Sequence, residues 1–135
     1  MKKRGLLNPE ICRVVAEIGH GDTLTVADAG LPIPRGCQHI DVSVIPAIPR
    51  FIDVVSAIVD ELDVERAIVA SEIVQNNPQV LEALSRLLGS APLDMVPHEQ
   101  FKQFTAASHA VIRTGEVTPF ANVILVGGVS SVFPK

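Results

Sequence analysis

Histidine and carboxylate side chains near the start of the chain could support acid–base chemistry. His20 lies in a Gly-His-Gly-Asp segment at residues 19–22, and Asp28 follows a short β-rich stretch. An imidazole can give and take protons near neutral pH, and a carboxylate can orient it or hold a polar ligand. These residue types favour acid–base chemistry on a small polar molecule.

Other polar side chains are expected at the same place in the fold. In an open α/β sheet, ligands bind at the carboxyl ends of the strands. Asp28 ends one predicted strand, His98 follows another, and the loop 118–122 leads into a third. We therefore expect Asp28, His98 and Asn122 to lie near one another.

His20 does not fit this arrangement directly, because it lies in the turn that leads into the strand, whereas Asp28 lies at the end of that strand. An extended strand of five or six residues would separate the two by about 17 to 20 Å. Either the strand is shorter than predicted, or the site is shared between chains.

The elements that must position these residues alternate along the chain. Asn8 and Pro9 are typical of a helix start, and Gly19 offers a left-handed stop. Apolar periodicity predicts helices over residues 9–18, 49–62, 78–88 and 97–107, and strands over 23–28, 40–44, 66–71, 93–96, 110–113 and 122–126. This alternation predicts a single α/β domain over residues 1–135, with three α/β/α layers and a mostly parallel, mixed sheet.

Composition narrows the class of protein. The 135 residues include five Phe but no Trp or Tyr, and the formal net charge is −4. With basic residues clustered only at the amino terminus, nucleic acid is not the expected partner. No apolar stretch reaches the roughly 18 residues that a membrane span needs, and no signal peptide is evident. We interpret Cys12 and Cys37 as free thiols and predict a cytoplasmic protein.

Each candidate also has a purely structural interpretation. His20 could cap a helix, and Asp28 could form a turn through its own side chain. His98 could be a solvated first-turn residue, and Asn122 could cap a loop. His20, Asp28 and His98 could also bind a metal, but their spacing is not diagnostic, and no nucleotide-binding glycine motif exists. We predict neither a metal nor another cofactor.

An ordered set of motifs gives the chain a family resemblance. The motifs occupy residues 7–8, 19–22, 28–34, 98–102, 113–116 and 118–122. Together they resemble the D-ribose pyranase family of sugar mutarotases, which includes fucose mutarotase. The Asp-Ala-Gly-Leu-Pro-Ile-Pro segment at 28–34 is similar to the ribose branch.

The resemblance implies a function and roles for individual residues. It implies an isomerase that interconverts the β-pyranose and β-furanose forms of D-ribose for ribose catabolism. Its sites would lie where neighbouring subunits of a homo-oligomer meet, in a decameric ring. His20 would be the proton donor, and the sugar would contact Asp28, His98, Phe120, Ala121 and Asn122. A mutarotase for another sugar such as fucose and a non-catalytic sugar-binding protein are the alternatives.

One position departs from the family pattern. Phe120 stands where similar proteins carry Tyr, so a phenol that could donate to a sugar hydroxyl is missing. Loss of such a hydrogen bond costs about 0.5 to 1.5 kcal/mol, and up to roughly 3 if the hydroxyl is left buried. The segment 130–135 also extends beyond the usual length, and we assign it no role.

Overall fold

Strands and helices alternate in residues 1–134, which the computed structural model describes. The strands are β1 (Thr23–Ala27), β2 (Gln38–Asp41), β3 (Val64–Ala70), β4 (Leu93–Val96), β5 (Ala110–Arg113) and β6 (Val123–Gly127). The helices are α1 (Pro9–Glu17), α2 (Phe51–Val59), α3 (Ile73–Asn76), α4 (Pro78–Leu88) and α5 (His98–Thr105).

All six strands form one mixed sheet in the order β2-β5-β1-β6-β3-β4. β6 runs antiparallel to both of its neighbours, β1 and β3, while the other pairs are parallel. The five parallel strands therefore end at one edge of the sheet, which we call the carboxyl edge, and β6 begins there. The opposite edge, where β6 ends, is the amino edge. The prediction of a mostly parallel, mixed sheet is confirmed.

Both faces of the sheet are covered, which gives the three predicted layers. On one face, α1, α2 and α4 bury Val14, Phe51 and Leu84 against β-strand residues. On the other face, Phe101 of α5 and Leu31 pack against alternate residues of the same strands. Because successive strand residues point to opposite faces, each central strand contributes to both cores.

Helix α1 begins as predicted but ends differently. The side chain of Asn8 accepts a hydrogen bond from the backbone N–H of Ile11, and Pro9 occupies the first turn. The expected left-handed stop at Gly19 is wrong, because Ile18 ends the helix in an extended conformation with φ −63° and ψ 118°. The N–H of Gly19 instead donates to the Asp22 carboxylate at 2.8 Å.

Several other predicted boundaries also shift. The strand expected over residues 40–44 ends at Asp41, whose carboxylate accepts bonds from the N–H and hydroxyl of Ser43 and turns the chain away. The helix expected over 49–62 spans Phe51–Val59, and the short helix α3 was not predicted. Among the described residues, no helix has the length and apolar character needed to cross a membrane.

Both cysteines are free thiols, as expected. Cys37 is partly covered by the layer that carries α5, and burial raises the pKa of its thiol.

Candidate active site

Asp28 and Asn122 hold each other at the carboxyl edge. The Asn122 amide Nδ2 donates to Asp28 Oδ2 at 3.0 Å, and its Oδ1 accepts from the Asp28 N–H at 2.7 Å. Asn122 is completely buried. The Gly30 N–H donates to Asp28 Oδ1 at 2.9 Å, so the side-chain turn considered for Asp28 is also present. These bonds fix the carboxylate, whose remaining lone pairs can accept from a ligand.

A strained turn positions Phe120 beside this pair. Its φ of 57° is left-handed, which is uncommon for a bulky residue. The Asn122 N–H donates to the Phe120 carbonyl at 2.9 Å, and Ala121 between them is buried. Such strain persists only where the surroundings enforce it, and it concentrates at functional sites. The turn brings the aromatic ring and the amide of Asn122 to the same edge as Asp28.

The ring of His98 lies between two aromatic side chains. It meets Phe120 edge-on with ring centroids 5.0 Å apart, and it stacks on Phe101 at 6.4 Å. Its Nδ1 is enclosed and has no hydrogen-bond partner. His98 is therefore held by packing rather than being a freely solvated first-turn residue.

Glu72 fixes the backbone at His98 and was not predicted from the sequence. The His98 N–H donates to both Glu72 carboxylate oxygens, at 3.0 and 3.1 Å. Burial acts to raise the pKa of Glu72, but hydrogen bonds from its own N–H and that of His98 hold the pKa below its usual value. The available signal was its position two residues after β3, comparable to that of Asp28 directly after β1.

A cavity of about 240 Å³ lies at the carboxyl edge. Its walls are Asp28, Gly30, Leu31, Pro32, His98 and Phe120. A second cavity of about 390 Å³ shares Asp28 and Gly30 and extends along residues 116–119. The carboxyl edge thus offers room for a small polar molecule in contact with a carboxylate, an imidazole and an aromatic ring.

His20 lies at the amino edge, away from both cavities. Its turn is tied to the end of β6: Gly21 N–H donates to the Gly127 carbonyl at 2.9 Å, and Gly127 N–H donates to the Asp22 carbonyl at 2.8 Å. The His20 ring pairs with Glu65 rather than with the end of α1, with Nε2 and Oε2 2.9 Å apart. The strand β1 separates His20 from Asp28, as the sequence suggested.

The set of His20, Asp28 and His98 that was weighed as a metal site is therefore divided between the two edges. Within residues 1–134, no group of three or more His, Cys, Asp or Glu side chains could hold a metal ion. Of the predicted site residues, five meet at the carboxyl edge: Asp28, His98, Phe120, Ala121 and Asn122.

The fold and these motifs coincide with a known family. The model of the RbsD / FucU transport protein family matches residues 1–130. The chain belongs to this family. Its RbsD / FucU relatives include the D-ribose pyranase of Symbiobacterium thermophilum, 52% identical over 96% of this chain and 99% of that one. The D-ribose pyranase of Geobacillus kaustophilus is 48% identical over 96% of both chains.

Solved structures of the family share the fold. Bacillus subtilis RbsD complexed with D-ribose superposes with a TM-score of 0.92, at 43% identity over 96% of this chain and 98% of that one. A Streptococcus pneumoniae fucose mutarotase in complex with L-fucose gives a TM-score of 0.80 at 19% identity, over 96% and 99% of the two chains. The three-layer α/β fold is therefore the family's fold.

Proposed function

We propose that the protein is an isomerase that interconverts the pyranose and furanose forms of D-ribose. The observation that carries this proposal is the fixed Asp28 carboxylate at the mouth of a cavity shared with His98 and Phe120. Its support is the high identity to relatives named D-ribose pyranase and to an RbsD whose structure holds D-ribose.

The reaction opens one hemiacetal and closes another. An acid protonates the ring oxygen while a base takes the proton of the anomeric hydroxyl; the bond between C1 and the ring oxygen breaks, and C1 becomes a carbonyl. Closure through a different hydroxyl reverses the proton transfers, so no atom or electron is gained or lost. General acid–base catalysis of this kind contributes about 10² to 10⁴ in rate.

The site residues divide these tasks. His20 is the proton donor, and Asp28, with lone pairs left over from its bonds to Asn122 and Gly30, accepts the proton of the anomeric hydroxyl. His98 and the backbone of Ala121 hold sugar hydroxyls, while Phe120 covers an apolar face of the ring.

His20 can take part only if a second chain supplies it, since it lies at the far end of β1 from Asp28. We therefore propose a homo-oligomer, a decameric ring, with each site formed where two subunits meet. Exposed apolar side chains beside the carboxyl edge support self-association: Val44 and Ile45 line a cavity with Val117, and Val117 also lines the larger cavity next to Asp28. The proposed location is the cytoplasm.

A second candidate is binding without catalysis, or catalysis on another sugar. Phe120 is the observation that favours these alternatives. A phenyl ring cannot donate the hydrogen bond that a phenol gives to a sugar hydroxyl.

Saturation-transfer NMR with D-ribose tests the proposal. The protein should speed exchange between pyranose and furanose signals, and His20→Ala should abolish the acceleration while its circular dichroism spectrum stays unchanged. Full exchange in that variant would remove His20 from the mechanism. Ribose binding by calorimetry without faster exchange would indicate a binding protein, and faster exchange of L-fucose than of D-ribose would indicate another substrate.

A further inference from the structure

Glu65 occupies an irregular position in β3, at the amino edge. Along the pairing with β6, Val64 faces Gly127 while Arg66 faces Val126, so Glu65 is an extra residue in the strand. Glu65 and Arg66 are both exposed, which breaks the alternation that a regular strand would show. Bulges of this kind redirect a side chain and occur often beside active sites.

The redirected carboxylate meets His20. The two residues lie 45 positions apart in the chain, and Glu65 Oε2 is 2.9 Å from His20 Nε2. The His20 side chain is 63% exposed and that of Glu65 is 39% exposed. The rest of the imidazole is therefore open to solvent and to a neighbouring subunit.

The backbone on both sides of the contact is fixed. Hydrogen bonds between the 19–22 turn and the end of β6 hold His20. A Cβ built on Gly128 would lie 3.0 Å from the Glu65 Cβ and 3.3 Å from its backbone nitrogen, so a larger residue at position 128 would have to displace the bulge by a few tenths of an ångström. The pair thus joins two rigid segments rather than two mobile loops.

We propose that Glu65 is the positioning residue for His20, an inference that rests on the proposed function. A carboxylate only accepts hydrogen bonds, so Nε2 carries a hydrogen when it pairs with Glu65. The proton that moves in catalysis then belongs to Nδ1. Nδ1–H gives its proton to the ring oxygen as the C1–oxygen bond breaks, and Nδ1 takes a proton back from the hydroxyl that recloses the ring.

Three other carboxylates belong to the turn or to the segments next to it. Asp22 lies in the turn itself, and Asp63 precedes β3, where its carboxylate accepts from the Ser131 N–H at 2.6 Å. Glu17 ends α1 and pairs with His109. Glu65, and not one of these three carboxylates, contacts the ring of His20, so replacing Glu65 is the informative change.

The test compares Glu65→Gln with a matched control, Glu17→Gln. Glu17 Oε2 pairs with His109 Nε2 at 2.7 Å, so the control removes the same kind of contact elsewhere. We expect Glu65→Gln to lower kcat for ribose exchange by about threefold to tenfold, with KM changed less than about twofold, because orientation of the donor is lost and not sugar binding. Glu17→Gln should leave both constants unchanged.

A second measurement needs no variant. In ¹⁵N NMR of the unmodified protein, His20 rings that carry a single hydrogen should carry it on Nε2, and the second hydrogen of the imidazolium that acts as the acid should be on Nδ1. A neutral ring with its hydrogen on Nδ1 would overturn the assignment, as would an unchanged kcat in Glu65→Gln alongside an inactive His20→Ala. If His20→Ala itself keeps full activity, the proposed function of His20 fails instead, so the two failures are distinguishable.

Discussion

The two edges of the sheet hold their polar side chains in different ways. At the carboxyl edge, Asp28 is bound by a fully buried amide and a backbone N–H, and His98 is packed between two aromatic rings. At the amino edge, His20 is largely exposed and has one side-chain partner, Glu65. One edge is therefore organised within a single chain, whereas the other presents a histidine side chain to the outside.

The separation of His20 from Asp28 follows from the length of one strand. β1 joins the two edges, and its length keeps His20 and Asp28 too far apart to act on one sugar. Because a rigid strand cannot shorten, we infer that a single chain carries two half-sites, one at each edge. Variants at the two edges test this inference, and the largest effect is expected where an essential side chain of either half-site is removed.

Mixing two inactive variants tests whether the half-sites combine. His20→Ala and Asp28→Asn should each abolish catalysed ribose exchange, since each removes one half of every site. Co-assembled one to one, they should recover about a quarter of the wild-type exchange rate, because random pairing across a subunit interface leaves that share of sites intact. Saturation-transfer NMR measures the recovery.

Each variant assembled alone, at the same concentration, is the control. Mixed particles shown by mass spectrometry to contain both variants, yet without activity, would contradict a shared site.

Removing the buried amide tests how the carboxyl edge is organised. Asn122→Ala leaves the Asp28 N–H unpaired and frees the carboxylate, so it should lower the free energy of unfolding by about 2 to 4 kcal/mol and exchange by more than about tenfold. Urea unfolding and NMR exchange measure the two effects.

Asn76→Ala is the matched control, because its amide makes one exposed hydrogen bond, to the Glu72 carbonyl. Equal losses of stability in the two variants would argue against a special role for the Asp28–Asn122 pair.

Adding a phenol at the carboxyl edge tests how that edge contacts the sugar. Phe120→Tyr adds a hydrogen-bond donor without changing the ring that packs against His98. A gain of one hydrogen bond of about 0.5 to 1.5 kcal/mol should lower KM for D-ribose by roughly twofold to tenfold, with little effect on stability. Initial exchange rates at varied ribose concentrations measure KM.

Phe104→Tyr, at an exposed position on α5, serves as the control. An unchanged or higher KM in Phe120→Tyr would show that the hydroxyl has no partner on the sugar.

The smallest effect is expected at Glu72, whose carboxylate accepts hydrogen bonds from the backbone N–H of His98. Because the folded state lowers the pKa of Glu72, its stabilising contribution is present above the unfolded pKa near 4.5 and is lost as pH falls through the folded value. Glu72→Gln should therefore reduce hydrogen-exchange protection of the His98 amide a few-fold at pH 7, and the difference from wild type should shrink as pH falls through the folded pKa of Glu72.

Glu82→Gln, on the exposed side of α4, should not alter protection of that amide. A difference that persists undiminished in acid would mean that the carboxylate's charge is not what holds His98.

The sequence by itself determined the succession of elements apart from α3, and it indicated most residues of the candidate site but not Glu72. Helix capping at Asn8 and Pro9 and the apolar periodicity are local signals, so the helices and strands were predicted with shifted ends. The rule for open α/β sheets predicted that Asp28, His98 and Asn122 meet. The expected length of the strand between His20 and Asp28 indicated a wide separation, but it left open whether the strand was shorter or the site was shared between chains.

Only the tertiary structure decided which partners fix these groups. Asn122 reaches Asp28 across 94 residues because β6 enters the sheet antiparallel beside β1, a pairing that no local pattern specifies. The bulge at Glu65 and the Glu72 cap of His98 likewise depend on strand register and on contacts between distant segments. The left-handed stop expected at Gly19 failed for a local reason instead: the carboxylate of Asp22, three residues along the chain, accepts a hydrogen bond from the Gly19 N–H. The residue types indicated acid–base chemistry, whereas pairing between distant segments determined where these side chains lie.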